Sequence, residues 1–190
     1  MTFVEKFLMT PINLESMFIE HHNKESQEWR YPETPIGSIV IAHTGVDGCH
    51  YCVVPKQGVS IDEAPIYFVS PMDWDDTVVW VAKNIIDFVS IGVALGSFTY
   101  IASFYSCDEE EFLQFVEESW DEHDENEKKE AIKLLKECFP IKQYNNLFQH
   151  IVESYQDKRN HVDLDFEFNH DPEFESVKIH AVALGRYSRG

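Results

Sequence analysis

Positive charge is scarce in this chain of 190 residues. Lysine and arginine together number 15 against 34 aspartate and glutamate residues, so the formal net charge at pH 7 is −19. Proteins bind the phosphate backbone of nucleic acids by displacing counterions with lysine and arginine, and a strongly negative field opposes that contact. We therefore expect no direct nucleic-acid binding. The acidity serves either solubility or the encounter with a basic protein partner.

Long hydrophobic runs are also missing. The longest candidate, residues 78–95, is interrupted by Lys83, Asn84 and Asp87, whereas a membrane-spanning helix needs about 20 predominantly apolar residues. The N-terminus lacks the basic region, the apolar region and the cleavage site of a secretory signal. We therefore expect a soluble, cytoplasmic protein that contacts no membrane.

Signatures of catalysis and of metal binding are missing as well. The sequence contains no H-E-x-x-H, no G-x-S-x-G and no glycine-rich phosphate loop. Cys49 and Cys52 form one C-x-x-C pair, but no second ligand pair follows, so we interpret them as reduced core cysteines. We expect no catalytic residue, no metal and no cofactor. The alternative is a metal-dependent hydrolase that uses scattered ligands, namely His161, His170 and Asp171.

Apolar and aromatic residues, in contrast, are plentiful. They account for 44% and 14% of the chain, which indicates a folded protein rather than a disordered acidic chain. The length favours a single domain over residues 1–190. Three β-rich runs separated by turns, GSIVIAHTG, CHYCVVP and PIYFVSP, predict an antiparallel meander whose strands are covered on both faces. The expected fold class is α+β, with a central, mostly antiparallel sheet flanked by helices.

Helical periodicity predicts the elements around these strands. One or two helices are expected within residues 3–28, and another is expected to begin near Val78 with Asp75 or Asp76 as its N-cap. The apolar side of that helix would face the sheet. Its opposite side would carry Lys83, Asp87 and Ser90.

The C-terminal part of the chain is predicted to be a helical region over residues 106–158. A capping box of Ser106 and Glu109 would open its first helix, and two further helices would follow, the first of them ending at Pro140. For residues 97–104, periodicity leaves both a strand and a continued helix open. Alternation of apolar and acidic residues over 162–168 predicts a half-buried strand with one acidic face.

The order of pieces over residues 37–95 resembles the SUKH superfamily, which joins bacterial toxin-immunity proteins with a yeast cell-wall regulator and some viral proteins. In that family a glycine-led strand opens the sheet, a strand of the type IYFVS follows, and an amphipathic helix with a phenylalanine-containing segment closes the unit. The matching positions here are Gly37, residues 66–70 and residues 84–89. The resemblance implies an α+β fold and a non-enzymatic role in neutralising a toxin domain.

Three acidic segments are the candidate surfaces for a partner. Many nuclease toxins are basic because their substrate carries phosphate, so an acidic inhibitor can dock by complementary charge. The candidate residues lie before the predicted helix, on the first C-terminal helix and on the last strand: Trp74, Asp75, Asp76, Glu117, Glu118, Asp121, Asp163, Asp165 and Glu167. The expected function is therefore that of an immunity protein, and the alternatives are a regulatory scaffold of the same fold or the hydrolase.

Overall fold

The computed structural model describes residues 1–21, 30–73, 77–99, 101–104, 107–121 and 125–166. These residues form an antiparallel sheet with helices packed against it, so the predicted α+β fold class is confirmed. Among the described residues, no helix is both long enough and apolar enough to cross a membrane.

Five strands form the sheet, in the order β1-β2-β3-β4-β5. Every neighbouring pair is antiparallel, so the chain meanders from one edge of the sheet to the other. The bounds are, in chain order, Glu20–His21, Ile39–His43, His50–Val53, Ile66–Val69 and Val78–Ala82. The three β-rich runs of the sequence form β2, β3 and β4, as predicted, whereas the outer strands β1 and β5 were not predicted.

The turn between β2 and β3 depends on glycine. Gly45 and Gly48 adopt φ angles of 74° and 73°, in the left-handed region that glycine enters without a steric penalty. At Gly48 there is also no space for a side chain, because an added Cβ would lie 2.4 Å from the ring of Tyr31. The predicted hairpin is confirmed, and its turn is specific to glycine.

The prediction of one helix beginning near Val78 is wrong. Residues Val78–Ala82 form β5, which pairs with β4, and the helix α2 occupies Ile85–Leu95. The N-cap is Asn84, whose side chain accepts a hydrogen bond from the backbone N–H of Asp87. The β-branched and aromatic composition of V-V-W-V-A fits a strand better than a helix. The caps predicted instead, Asp75 and Asp76, lie outside the described residues.

The larger core lies on the face of the sheet that carries Tyr51 and Phe68, which we call the first face. Helix α2 packs here, and Phe88 stands 5.0 Å from Tyr51 and 4.9 Å from Phe98, measured between ring centroids. Gly92 allows this approach, because a Cβ at that position would lie 2.2 Å from the ring of Phe98. Burial of each such aromatic side chain contributes about 2 to 3 kcal/mol.

Helix α2 is buried on nearly all sides, and this corrects a second prediction. Asp87 and Ser90 were expected on a solvent-facing side, but the structure buries both completely. The reason is that residues 139–146 fold back over them: Lys142 donates its backbone N–H to the Ser90 hydroxyl at 2.9 Å. Lys83 precedes the helix and is half-buried.

Within residues 1–21, the described part of the N-terminal region, there is one α-helix, and one or two were predicted over residues 3–28. Helix α1, Phe3–Met9, begins at a capping box formed by Thr2 and Glu5 and packs on the first face. A 3-10 turn, Glu15–Met17, comes next, after which Phe18 adopts a left-handed φ of 63°. That reversal ends the helical path, and the chain then enters β1.

Three C-terminal helices are present, as predicted. Their bounds are Glu109–Asp121 for α3, Glu125–Cys138 for α4 and Leu147–Gln156 for α5. The predicted cap Ser106 lies outside the described residues, and Asp108 caps α3 instead: its Oδ1 accepts the backbone N–H groups of Glu110 and Glu111 at 2.9 Å each. The described residues among 97–104, namely 97–99 and 101–104, form neither a strand nor a continued helix, since Gly96 ends α2 and a 3-10 turn follows.

The second face of the sheet, which carries Cys52 and Tyr67, is covered by Tyr155 of α5 and by the extended segment after it. Val162 and Leu164 pack on this face while Asp163 and Asp165 are exposed, so the predicted alternation is correct. The predicted strand is wrong for the described residues up to 166. The segment crosses the face of the sheet, where its hydrogen bonds go to a side chain and a loop: Val162 to the Tyr67 hydroxyl, and Ile36 to the Asp165 carbonyl.

Candidate functional site

Helix α3 presents an acidic surface because three of its apolar residues, Phe112, Phe115 and Val116, turn inward. Phe112 is buried against Phe104 and Phe148, at centroid distances of 4.7 Å and 5.4 Å. Phe115 and Val116 are partly buried in the same core. The residues at positions 110, 113, 114 and 117 lie three or four apart and therefore share the outward side of the helix.

We call these four residues the α3 face: Glu110, Leu113, Gln114 and Glu117. All four are exposed. Leu113 is 60% exposed. The α3 face thus combines two carboxylates with one exposed apolar side chain.

Three other acids at the start of α3, Asp108, Glu109 and Glu111, in contrast, have structural partners. The carboxylate of Asp108 caps the helix, and Glu111 completes a capping box by accepting the backbone N–H of Asp108 at 3.0 Å. Glu109 accepts a hydrogen bond from the side chain of Asn146 at 3.2 Å. The side chains of Glu110 and Glu117 form no hydrogen bond or ion pair with any described residue, so their charges remain directed at solvent.

Two of the other predicted surface residues, Asp163 and Asp165, lie away from the α3 face. Glu118 and Asp121 belong to α3. Asp163 and Asp165 are exposed on the segment that covers the second face of the sheet, whereas α3 packs into the first-face core. The two acidic surfaces are therefore separate. Four other predicted residues, Trp74, Asp75, Asp76 and Glu167, lie outside the described residues.

The loop that leads toward Trp74 has described neighbours. It follows β4 and lies beside the β2–β3 turn, since the Cys49 thiol donates to the Ser70 hydroxyl at 3.5 Å. Each of the two loops exposes one large apolar side chain: Val46 is 61% exposed and Met72 is 70% exposed. This end of the sheet therefore exposes two apolar side chains, one from each loop.

A buried polar cluster on α2 was missed by sequence reasoning. The Oδ1 atom of Asp87 accepts the Tyr144 hydroxyl at 2.7 Å and lies 2.9 Å from Nε2 of His150. Its Oδ2 atom accepts the backbone N–H of Lys83 at 3.3 Å. The rings of Tyr144 and His150 stack at 4.2 Å. The signal in the sequence is that α2 is apolar all round, which indicates full burial, and a buried carboxylate requires partners.

The electrostatics of this cluster follow from its geometry. Burial opposes ionisation of Asp87, but the hydrogen bonds from His150 and Tyr144 and the nearby positive charges outweigh it, and the pKa of Asp87 falls below its ordinary value. Burial and the Asp87 charge together raise the pKa of Tyr144. Because both oxygens of Asp87 are occupied and the side chain is fully buried, no substrate reaches it. The cluster ties α2 to the segment that precedes α5, and its role is structural.

The hydrolase alternative gains no support from the described residues. No group of three or more histidine, cysteine, aspartate or glutamate side chains there could hold a metal ion. Nε2 of His161 lies 2.7 Å from the carbonyl of Tyr155, while His170 and Asp171 lie outside the described residues. Cys52 is a core cysteine, as predicted, and burial raises the pKa of its thiol to about 12.

Comparisons with protein-family models, with curated proteins and with solved structures found no match to this chain.

Proposed function

We propose that this protein is a non-enzymatic binding protein that engages a basic protein partner through the α3 face. The observation that carries the proposal is the pairing of Glu110 and Glu117, whose carboxylates have no described partner, with the exposed side chain of Leu113. An exposed apolar side chain supplies contact area at the centre of an interface. Flanking carboxylates supply charge complementarity with a basic surface.

The charge of the whole chain supports the same kind of partner. A formal charge of −19 creates a field that attracts cations from beyond contact distance and accelerates the encounter with a basic protein. Such steering weakens as salt rises, because the Debye length shortens from roughly 30 Å at 0.01 M to about 8 Å at 0.15 M. The proposal therefore requires an association rate that falls steeply with ionic strength.

We further propose that the partner is a toxin domain and that the protein acts in the cytoplasm as an immunity protein. The support for this step is the SUKH-like order of strands and helix over residues 37–95, together with the acidity of the chain. A nuclease domain that binds phosphate carries the basic surface that an acidic inhibitor would cover. Neutralisation then needs no chemistry from the inhibitor, only occlusion of the basic surface.

The experiment captures the tagged protein from its own cells at low salt, elutes at high salt and identifies the partner by mass spectrometry. The purified pair is then mixed, and the partner's nuclease activity is measured against the concentration of this protein. The proposal predicts a basic partner, stoichiometric inhibition and an association rate that falls with salt. A partner whose binding is insensitive to salt and whose activity is unchanged would instead favour the regulatory scaffold.

A further inference from the structure

A groove of about 740 Å³ lies between α2, the end of α4 and the start of α5. Its apolar lining includes Val93 of α2, Phe139 after α4 and Leu147 of α5. Phe139 and Val93 are buried, and Leu147 is partly buried, so these three side chains pack into the first-face core, while other lining residues such as Ala94 and Pro140 are exposed. The volume falls in the range of roughly 300 to 1,000 Å³ that small-molecule sites occupy.

The wall of the groove is held in place by hydrogen bonds. Ser90 is fully buried in α2; its hydroxyl donates to the carbonyl of Ile86 at 2.6 Å and accepts the backbone N–H of Lys142 at 2.9 Å. Tyr144 is anchored by its hydroxyl to the carboxylate of Asp87. The connection that forms one side of the groove is therefore fixed to α2 at two points, which means that the site is formed before any ligand arrives.

The charge of the groove is opposite to that of the protein. Its lining residues include two lysines, Lys136 and Lys142, and no carboxylate, although the chain has 34 acidic residues against 15 lysines and arginines. Both lysines are exposed, and neither forms an ion pair within the part of the chain that the structure describes. The nearest buried acid, Asp87, has its charge satisfied by its own hydrogen-bond donors.

We propose that this groove binds a small amphipathic carboxylate, with the apolar body of the ligand against Val93, Phe139 and Leu147 and its carboxylate between Lys136 and Lys142. Charge-assisted contacts from an ammonium group to a carboxylate are stronger than neutral hydrogen bonds, and the apolar lining adds the burial of the hydrocarbon part. The site is separate from the α3 face and does not depend on the function proposed for that face.

The test is a titration followed by two-dimensional amide NMR, with octanoate as the probe. Two control compounds divide the ligand into its parts: 1-octanol has the same chain without the charge, and acetate has the charge without the chain. We expect saturable shift changes that centre on Val93, Ala94 and Leu147. Octanoate should bind about tenfold more tightly than octanol, which corresponds to one charge-assisted contact.

The variant Lys136→Gln with Lys142→Gln tests the assigned charges. It should reduce octanoate affinity about tenfold and leave octanol affinity unchanged. The matched control is Lys133→Gln, which removes an exposed lysine from the same helix outside the groove. Each variant should have the same thermal unfolding midpoint as the parent, which would show that it is folded. This control is needed because Lys136 lies in the last turn of α4, where a positive charge also stabilises the helix.

Three results would overturn the proposal. The first is a set of shift changes that do not saturate or that spread away from the groove. The second is equal affinity for octanol and octanoate. The third is unchanged octanoate affinity in the double variant, which would show that the lysines do not hold the carboxylate.

Discussion

Helices α2 and α3 pack against each other, yet the acidic residue of α2 is buried and those on the α3 face are exposed. In α2, ten of the eleven residues are buried, including Asp87, whose carboxylate is surrounded by donors. In α3, the only described side chain that is buried is that of Phe112, and the α3 face directs Glu110 and Glu117 at solvent. A carboxylate is thus a buried hydrogen-bond acceptor in one helix and an exposed surface charge in the next.

The difference shows that net charge alone is a poor guide to function in this protein. The acids that cap α3 or hold α2 in place stabilise the fold. Only acids without a described partner are available to contact a binding partner. If this division is correct, substitutions in α2 should cost stability and leave binding unaffected in whatever fraction stays folded. Substitutions on the α3 face should do the reverse.

The largest expected effect comes from the core of α2. Phe88→Ala should lower the free energy of unfolding by about 4 kcal/mol, because it removes a fully buried ring that packs on three other aromatic rings and leaves a cavity. Leu113→Ala on α3 is the matched truncation and should change it by less than about 0.5 kcal/mol. Urea denaturation measures both. Similar losses for the two variants would break the distinction between the helices.

The second effect compares the two kinds of acid directly. Asp87→Ala should lower the free energy of unfolding by about 3 kcal/mol, because it leaves the partly buried donors of Tyr144 and His150 without an acceptor. Glu117→Ala should again stay within about 0.5 kcal/mol. A double-mutant cycle with Tyr144→Phe should show coupling to Asp87, and additive losses would mean that the hydrogen bond contributes nothing.

The third effect is a loss of stability at low pH, which we expect to come from a buried histidine and not from the surface charges of the α3 face. His50 is fully buried between the carbonyl of Gly48 and the hydroxyl of Thr34, and burial lowers its pKa from 6.5 to about 4. Below pH 6.5 the unfolded chain binds a proton that the folded protein excludes, so stability is lost as pH falls. The loss should be about 2 kcal/mol between pH 7 and pH 5.

Denaturation at the two pH values checks this expectation. The loss should shrink in His50→Gln, which removes the titrating group, and it should persist in a variant with charges reversed on the α3 face. If His50→Gln loses as much stability between pH 7 and pH 5 as the parent does, the acid sensitivity has another origin.

Much of the fold could be read from the sequence, and the errors have identifiable causes. The runs that form β2, β3 and β4 have clear turn signals on both sides, and α4 and α5 have clear helical periodicity. Residues 78–95 were misread because apolar positions within one continuous run fit a helical spacing, although the run contains the strand β5 followed by α2. Local pattern could not show where one element ends, since pairing with β4 decides it.

In the candidate site, too, some features could be predicted from local sequence and others depend on tertiary packing. Exposure of Glu117 follows from the helical spacing of the apolar residues of α3, so sequence reasoning found it. Burial of Asp87 depends on Tyr144 and His150, which lie 57 and 63 residues further along the chain, and no local pattern contains that information. The groove between α2 and α4 is likewise a product of tertiary packing.

The smallest expected effect on stability is also the most informative. Glu110→Lys combined with Glu117→Lys changes the net charge by +4, since each reversal contributes +2, and should alter the free energy of unfolding by less than about 0.5 kcal/mol. The control is Glu130→Lys with Glu137→Lys, which reverses two exposed acids at the same seven-residue spacing on α4. Both variants experience the same change in overall charge, so a difference between them reports position rather than net charge.

The one measurement that tests the central claim is the association rate of these two variants and the parent with the captured basic partner, by stopped flow at low salt. The account predicts a rate about tenfold slower for the α3-face variant than for the α4 control, with both variants as stable as the parent. Equal rates for the two variants would contradict it, because the α3 face would then contribute only its share of the net charge.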